Sequence, residues 1–281
     1  MIYKQKIITL MTIFSFMSIG WGQNCIDGVE VELWGECYNI QGTTNLNLSN
    51  SGITGEIPIE IVSLINLNDL RLSGNELTGN IPENIGDLVY LDLLYLHNNQ
   101  LTGHIPESIG NLLDINDLLL YNNQLTGHIP ESIGNLTHLD DLRLSDNQLS
   151  GSIPESLGNL VYLNTLYLHN NQLSGFIQPS ICNLNWNISN DYRIYNNNLC
   201  PPYPECIEDY VGNQDTSNCE EECPDSIEGD LNDDGVLNIL DVISIVNCVL
   251  GSNCDTCSDY NQDGSTDVLD VVEMVNYILD I

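Results

Sequence analysis

A 24-residue repeat occupies the middle of the chain and constrains its fold more than any other feature of the sequence. Five asparagines mark the interval, each inside a segment of the type LYLHNNQLTGHIPESIGNL: Asn75, Asn99, Asn123, Asn147 and Asn171. A period between about 20 and 29 residues with the pattern L-x-L-x-x-N-x-L is typical of a solenoid of short strands. Because one turn of a solenoid cannot bury its apolar face alone, we expect the array to fold as a single unit.

The repeat also predicts which side chains form the core. A leucine lies three residues before each recurring asparagine, as Leu72 and Leu96 do, and we expect these leucines to point inward and stack. An asparagine side chain both donates and accepts hydrogen bonds, so it can satisfy backbone groups exposed where the chain leaves a strand. The sequence therefore predicts a ladder of asparagines through the core.

The segment T/S-G-x-I-P that follows N-x-L resembles the plant-type leucine-rich repeat over roughly residues 46 to 200. The array is irregular at both ends, where Ser51 replaces the asparagine and Ile177-Gln178-Pro179 replaces Ile-Pro, as capping turns require. Cys25 with ELWGECYNI resembles the N-terminal cap of this family, and LCPPYPECI at 199–207 resembles its C-terminal cap. The resemblance implies an α/β fold, a leucine-rich repeat solenoid with a parallel β-sheet on the concave face. We expect seven strands, the last at Tyr192 to Ile194.

In this family the concave sheet usually carries the ligand. Along the array, the position after the first strand leucine reads Arg71, Tyr95, Leu119, Arg143, Tyr167 and Arg193, and the position two residues later reads Ser73, His97, Tyr121, Ser145, His169 and Tyr195. Tyrosine and arginine often anchor interfaces, and aromatic faces also stack on sugars. We therefore predict that a protein or polysaccharide ligand contacts Arg71, Tyr95, His97, Tyr121, Arg143, Tyr167, His169 and Arg193.

A second interpretation of the same positions stays open. Asp69, Asp117 and Asp141 lie two residues before their neighbours in the arginine and tyrosine row, on the same face of the predicted sheet. Arg71 and Arg143 would then only neutralise these carboxylates on a solvated surface.

Two loop–helix units end the sequence. Oxygen-bearing residues at loop positions 1, 3, 5, 9 and 12 with glycine at position 6 follow the EF-hand rule for calcium, and position 7 contributes a backbone carbonyl. The first loop offers Asp230, Asn232, Asp234, Val236, Asn238 and Asp241, and the second offers Asp259, Asn261, Asp263, Ser265, Asp267 and Asp270. We predict two Ca²⁺ sites, with a tighter second site because it has more carboxylates. The alternative is an Asx-rich turn without a metal.

Neither loop follows an incoming helix, so residues 229 to 281 resemble the paired half EF-hands of a type I dockerin, a small all-α calcium-binding domain. The resemblance implies docking to a cohesin-like domain on a scaffold or cell surface, often within polysaccharide-degrading assemblies. The pairs before position 12, Ile239-Leu240 and Val268-Leu269, imply a hydrophobic docking face. The alternative is a calcium-stapled terminal module without a partner.

Charge and cysteine content indicate where the protein works. The chain has 40 Asp and Glu against five Lys and Arg, a net charge of −35, which excludes the usual electrostatic route to nucleic acid or membrane surfaces. Lys4, Lys6 and the apolar run Ile7 to Ile19 are typical of a cleaved secretory signal, and no later segment is expected to span a membrane. Ten cysteines in an exported chain favour disulfides, whose pairing the sequence leaves open. We predict a secreted or cell-surface protein.

The predicted organisation is a signal peptide (1–22), an N-terminal cap (23–45), leucine-rich repeats with a C-terminal cap (46–207), an acidic linker (208–226) and a dockerin-like domain (227–281).

The sequence holds no nucleophile elbow, HExxH motif or phosphate-binding glycine loop, so we expect no catalytic residues and no enzyme. The leading hypothesis is a non-catalytic binding or adhesion component of an extracellular assembly. An alternative is an inhibitor of a secreted hydrolase that uses Arg71, Tyr95, Arg143 and Tyr167 as anchors. A glycan-degrading component is the third and least favoured hypothesis.

Overall fold

The computed structural model describes residues 25–184, 191–217, 219, 237–251 and 267–279. These residues form two compact units, one within residues 1–217 and the other within 218–281. The predicted leader (1–22) and most of the stretch between residue 218 and the first C-terminal helix lie outside the described residues.

The first unit is built from short strands. They are β1 (Glu30–Leu33), β2 (Glu36–Asn39), β3 (Asn45–Asn47), β4 (Thr54–Glu56), β5 (Asp69–Arg71), β6 (Glu76–Thr78), β7 (Leu93–Tyr95), β8 (Asp117–Leu119), β9 (Thr126–Gly127), β10 (Asp141–Arg143), β11 (Gln148–Gly151), β12 (Thr165–Tyr167), β13 (Gln172–Phe176), β14 (Asp191–Arg193) and β15 (Asn198–Cys200). Short 3-10 helices follow the strands in each repeat: Ile59–Ser63, Ile85–Asp87, Glu107–Asn111, Glu131–Asn135, Glu155–Asn159 and Pro179–Asn183.

One sheet runs the length of the repeat array. Its seven described strands are parallel and follow the order β3, β5, β7, β8, β10, β12, β14. The register advances by one repeat per strand, so Leu70, Leu94, Leu118 and Leu142 form one continuous row. The predicted strand number is confirmed, and the last strand begins one residue earlier than expected, at Asp191.

The leucine core and the asparagine ladder are as the repeat predicts. The stacked leucines are fully buried, Leu72 and Leu96 among them. Asn99 Nδ2 donates to the carbonyls of Leu72 (3.0 Å) and Leu96 (2.9 Å), while its Oδ1 accepts the Leu77 N–H at 3.1 Å. Each ladder asparagine thus bonds the backbone of its own repeat and of the preceding one.

Both ends of the array are closed by disulfide-bonded caps. Strands β1 and β2 form an antiparallel hairpin beside the Cys25–Cys37 bridge, and Cys182–Cys206 ties the last repeat to the C-terminal cap. Cys200 and Cys219 are also disulfide-bonded.

The C-terminal cap extends past residue 207, where the sequence predicts the linker to begin. Helix α1 (Glu208–Val211) places Val211 in the core, and Gln214 Nε2 donates to the Ile194 carbonyl at 3.0 Å. Asn196 N–H donates to the Asn213 carbonyl at 2.6 Å. These bonds satisfy backbone groups that the last turn of the solenoid would otherwise expose, so the cap needs this additional segment.

Two helices are described in the second unit, α2 (Ile239–Gly251) and α3 (Val268–Ile278). Ile245 and Met274 are fully buried between them, with Val242 nearby. Among the helices in the described part of the chain, none has the length and apolar character needed to cross a membrane.

Candidate functional site

The side of the seven-stranded sheet that faces away from the leucine core carries the predicted ligand residues. We call this side the open sheet face. Its first row consists of Asn45, Asp69, Leu93, Asp117, Asp141, Thr165 and Asp191, and its second row of Asn47, Arg71, Tyr95, Leu119, Arg143, Tyr167 and Arg193. A third row follows the strands and consists of Ser49, Ser73, His97, Tyr121, Ser145, His169 and Tyr195.

Each arginine of the open sheet face is paired with the aspartate two residues before it. Arg71 Nε lies 2.8 Å from Asp69 Oδ1, and Arg143 makes two bonds of 2.8 Å to the Asp141 carboxylate. These hydrogen bonds are the main reason that the pKa of Arg71 and of Arg143 is raised. The charge pairing that the second interpretation of the sequence expects is therefore present.

Arginine and tyrosine also pack across neighbouring strands. The Arg71 guanidinium lies 5.0 Å from the centre of the Tyr95 ring, a cation–π distance, and the Tyr95 hydroxyl donates to Asp117 Oδ2 at 2.5 Å. Burial, together with this bond to Asp117, raises the pKa of Tyr95 to about 12. Tyr95 is therefore a neutral hydrogen-bond donor at any physiological pH.

Histidine and tyrosine of the third row stack on each other. The rings of His97 and Tyr121 are nearly parallel with centroids 4.3 Å apart, and those of His169 and Tyr195 are 4.8 Å apart. Burial and the charge of Arg143 lower the pKa of His97, so its imidazole is neutral at pH 7. The two stacks add flat aromatic surface to the open sheet face.

These contacts form two similar clusters three repeats apart. The first cluster consists of Asp69, Arg71, Tyr95, His97, Asp117 and Tyr121, and the second of Asp141, Arg143, Tyr167, His169, Asp191 and Tyr195. In the second cluster Arg143 lies 4.8 Å from the Tyr167 ring centre and the Tyr167 hydroxyl donates to Asp191. The two clusters match residue for residue.

Seven of the eight predicted ligand residues are at least partly exposed, and His169 is the exception, with 8% of its surface accessible. Asp191, which accepts bonds from both Tyr167 and Arg193, is not among the site residues predicted from the sequence. Asp191 has the same strand position as Asp117, and this equivalence could have identified it. The irregular length of the step between the last two repeats obscures the equivalence.

The predicted calcium ligands are only partly described. Asp230, Asn232, Asp234, Val236, Asp259, Asn261, Asp263 and Ser265 lie outside the described residues. Within the described part of the chain, no group of three or more His, Cys, Asp or Glu side chains is arranged to hold a metal ion. Asn238, Asp241, Asp267 and Asp270, at loop positions 9 and 12, can be examined directly.

Positions 9 and 12 have the same geometry in both loops. Asp241 Oδ2 accepts the N–H of Asn238 at 2.8 Å, and Asp270 Oδ2 accepts the N–H of Asp267 at 2.7 Å. Both position-12 carboxylates are fully buried, although each is the third residue of a helix whose first two residues are exposed. The carboxylate and amide oxygens at positions 9 and 12 are ligands of the kind that a hard cation such as Ca²⁺ takes. The described residues therefore fit the calcium-loop pattern.

Comparison with known proteins identifies the repeat unit. Residues 45–185, half of the chain, match the model of the leucine-rich repeat region. The chain belongs to the leucine-rich repeat family. A comparison with curated proteins found no match.

Several solved leucine-rich repeat structures are similar to this chain. The Arabidopsis receptor kinase HAESA, in complex with the peptide hormone IDA and the co-receptor SERK1, is 37% identical with a TM-score of 0.55 over 58% of this chain and 28% of that one. The plant peptide hormone receptor RGFR1, in complex with RGF2, is 39% identical with a TM-score of 0.52 over 57% of this chain and 25% of that one. The ectodomain of the Arabidopsis thaliana receptor kinase GASSHO1/SCHENGEN3, in complex with CASPARIAN STRIP INTEGRITY FACTOR 2, is 37% identical with a TM-score of 0.52 over 57% of this chain and 19% of that one.

This leucine-rich repeat chain thus spans less than a third of the length of these neighbours. Each neighbour is a receptor or a receptor ectodomain in complex with a ligand, which is consistent with protein binding. The disulfides are of the kind found in extracellular proteins.

Proposed function

We propose that this leucine-rich repeat protein is an exported, non-catalytic recognition protein. Its open sheet face, the concave face of the solenoid, binds a polypeptide ligand. Its C-terminal unit binds two Ca²⁺ ions and docks the protein to a cohesin-like domain of a scaffold or cell-surface assembly, of the type that gathers polysaccharide-degrading enzymes.

The arrangement of side chains on the open sheet face carries the first part of the proposal. Tyr95, Tyr121 and Tyr167 are partly exposed beside arginines and carboxylates, which combines aromatic contact area with directional hydrogen bonding. Such residues supply most of the binding energy at protein interfaces. A polypeptide is favoured over a polysaccharide because three similar structures hold peptide or protein ligands.

A peptide-display selection on the immobilised full chain tests this part. We expect recovered peptides to bind the wild-type protein and to lose at least tenfold in affinity for Tyr95→Ala. The matched control is Tyr90→Ala, because Tyr90 is 57% exposed and lies outside the open sheet face. Recovery of no binding peptide, or equal losses in the two variants, would contradict polypeptide recognition at this face.

The buried carboxylates of Asp241 and Asp270 support the second part of the proposal. They occupy the last ligand position of two loops that both follow the calcium pattern, and a bound Ca²⁺ would compensate their charge. When bound, the ion would supply structure rather than chemistry, because it would hold the ligand residues of two short loops together.

The first turns of α2 and α3 support docking. Ile239, Leu240 and Val268, Leu269 are each more than half exposed, so both helices present an equivalent apolar pair. Exposed apolar surface of this kind is suited to bury against another protein. The dockerin resemblance names a cohesin-like domain as the partner.

Calcium titration followed by capture from culture supernatant tests the second part. We expect two Ca²⁺ ions per wild-type chain, one in Asp230→Ala, and release of the captured cohesin-like partner by chelator. The control Glu273→Ala changes an exposed carboxylate outside both loops and should leave calcium binding unchanged. Binding of calcium without a cohesin-like partner would leave a calcium-stapled module and overturn the docking proposal.

A further inference from the structure

The two clusters have different neighbours at one position of the second row. In the sheet register Leu119 stands beside Tyr95, and Arg193 stands beside Tyr167. The sequences around the two tyrosines are nearly the same, since residues 88–101 and 160–173 differ only at Asp92/Asn164 and Leu93/Thr165. In the next strand, residues 117–123 and 191–197 differ at the exchanged position and at its two core-facing neighbours, Leu118/Tyr192 and Leu120/Ile194.

In the second cluster Arg193 occupies a well-defined guanidinium position. Its guanidinium carbon lies 4.4 Å from the centre of the Tyr167 ring, and it makes two hydrogen bonds of 2.9 Å to the Asp191 carboxylate. The planar guanidinium thus stacks on an aromatic ring and bonds a carboxylate through one of its edges at the same time. Burial acts to raise the pKa of Asp191, but the bonds from Arg193 and Tyr167 outweigh it and lower that pKa.

In the first cluster the same position has no guanidinium. Leu119 has no polar atom in its side chain, and Asp117 accepts the Tyr95 hydroxyl at 2.5 Å without a bond to any arginine in the described part of the chain. The neighbouring arginines are already engaged, because Arg71 pairs with Asp69 and Arg143 with Asp141. Asp117 and Tyr95 are both partly exposed, whereas the apolar side chain of Leu119 is 8% exposed.

Tyr95 already contacts the guanidinium of Arg71, but the second cluster shows that one tyrosine ring can contact two guanidinium groups. Tyr167 carries Arg143 at 4.8 Å and Arg193 at 4.4 Å, so one ring of this sheet accommodates two guanidinium groups when carboxylates lie beside both. The lowered pKa of His97 leaves that imidazole neutral at pH 7, so it does not repel a cation. The net charge of −35 attracts cationic ligands to the protein as a whole.

We propose that the first cluster is an open subsite for the guanidinium of an arginine side chain of the polypeptide ligand, which binds Asp117 and Tyr95 as Arg193 binds Asp191 and Tyr167. The aliphatic stem of that arginine packs on Leu119. This inference rests on the proposed function and specifies the chemistry of its ligand. In the second cluster the protein occupies the equivalent position with its own side chain.

A titration of the full chain, with ring-labelled tyrosine followed by NMR, tests the proposal. The probe is an acetylated, amidated heptapeptide of glycine, serine and threonine with one central arginine. The same peptide with citrulline, which keeps the shape but not the charge, is its control. We expect the arginine peptide to shift the Tyr95 signals and not those of Tyr167, and the citrulline peptide to bind at least tenfold more weakly.

Three variants define the site. Leu119→Arg should fill the first subsite with the protein's own guanidinium and reduce peptide affinity at Tyr95 at least tenfold. Asp117→Asn should also reduce this affinity at least tenfold, because it removes the carboxylate charge while it preserves the shape of the cluster. Arg193→Leu should open the second subsite, so that the peptide shifts Tyr167 as well. Tyr162→Ala, at an exposed tyrosine outside the open sheet face, is the matched control that should change nothing.

Equal binding of the arginine and citrulline peptides, or binding that ignores Asp117→Asn, would overturn the guanidinium subsite. The display selection separates this failure from failure of the proposed function. Selected peptides that lack arginine but depend on Tyr95 would leave polypeptide recognition intact, whereas the absence of any selected binder would remove it.

Discussion

At the scale of single residues, the ladder asparagines connect neighbouring repeats. Asn123 donates to the carbonyls of Leu96 (3.1 Å) and Leu120 (3.0 Å), and its Oδ1 accepts the N–H of Leu101 at 3.1 Å. All of these groups are buried, so they have no access to water as a replacement partner. The ladder is therefore a condition for stacking one repeat on the next.

Asn123→Ala is expected to lower the free energy of unfolding of the repeat unit by about 2 kcal/mol. The two carbonyls keep a bond from the adjacent asparagines, but the Leu101 N–H is left buried without its acceptor. Urea denaturation followed by circular dichroism measures the change. Gln124→Ala, at the exposed neighbouring position, should change the stability by less than about 0.5 kcal/mol, and equal effects of the two substitutions would contradict the ladder.

His97 provides a pH-dependent prediction. Burial and the charge of Arg143 lower its pKa in the folded protein, whereas an unfolded histidine titrates near about 6.5. Below that pH the unfolded chain binds a proton that the folded chain does not, so the contribution of His97 to stability is lost as the pH falls. NMR titration of the His97 ring should give a midpoint below about 6.5.

Arg143→Gln checks the cause of this shift. Removal of the positive charge should raise the midpoint of His97, but not fully to the unfolded value because burial remains. A midpoint that does not move in this variant would show that Arg143 does not act on His97.

At the scale of elements, the turn after each strand contains two adjacent residues with different structural roles. Asn98, Asn122 and Asn170 have positive φ near 55° and precede a ladder asparagine. Asparagine tolerates this left-handed conformation better than most residues. The prediction from the repeat concerned only the second residue of each pair, although the first also recurs in the 24-residue pattern.

The sequence predicts which residues form the rows of the open sheet face, but it does not predict the contacts that their side chains make with one another. A strict period with alternating strand positions is enough to place Arg71, Tyr95 and His97 on one face and the leucines in the core. The bond from Tyr95 to Asp117 and the stack of His97 on Tyr121 depend on side-chain rotamers, which the period leaves undetermined. The Arg71–Asp69 pair is local, two residues apart in one strand, and it was foreseen as an alternative for that reason.

The close packing of successive 3-10 helices requires a glycine at one position of the helix. A Cβ at Gly134 would lie 2.5 Å from the Ser156 carbonyl oxygen and 2.4 Å from Ser156 Cβ, because consecutive 3-10 helices pack backbone to backbone. Gly134→Ala should therefore force the repeats apart and cost about 2 kcal/mol in urea denaturation. Asn135→Ala, one residue later and exposed, introduces the same side chain without the clash and should be nearly neutral. A neutral Gly134→Ala would contradict this packing constraint.

At the scale of the whole molecule, the two units are stabilised in different ways. The repeat unit has a continuous core of buried leucines and isoleucines from Leu46 to Leu199 and disulfide-bonded caps. In the second unit, the described core consists of Val242, Ile245 and Met274 with partly buried neighbours. The proposed metal is therefore expected to add to the stability of this unit.

Chelation of calcium should therefore remove one thermal transition and spare the other. In calorimetry of the full chain, EDTA is expected to lower or abolish the transition of the C-terminal unit while the transition of the repeat unit keeps its temperature. Because the net charge of −35 makes the chain sensitive to screening, the comparison is made at constant ionic strength. Asp230→Ala combined with Asp259→Ala should reproduce the chelator effect without chelator. If both transitions shifted together, calcium would act on the acidic surface in general, and if neither moved, the C-terminal helices would fold without the ion.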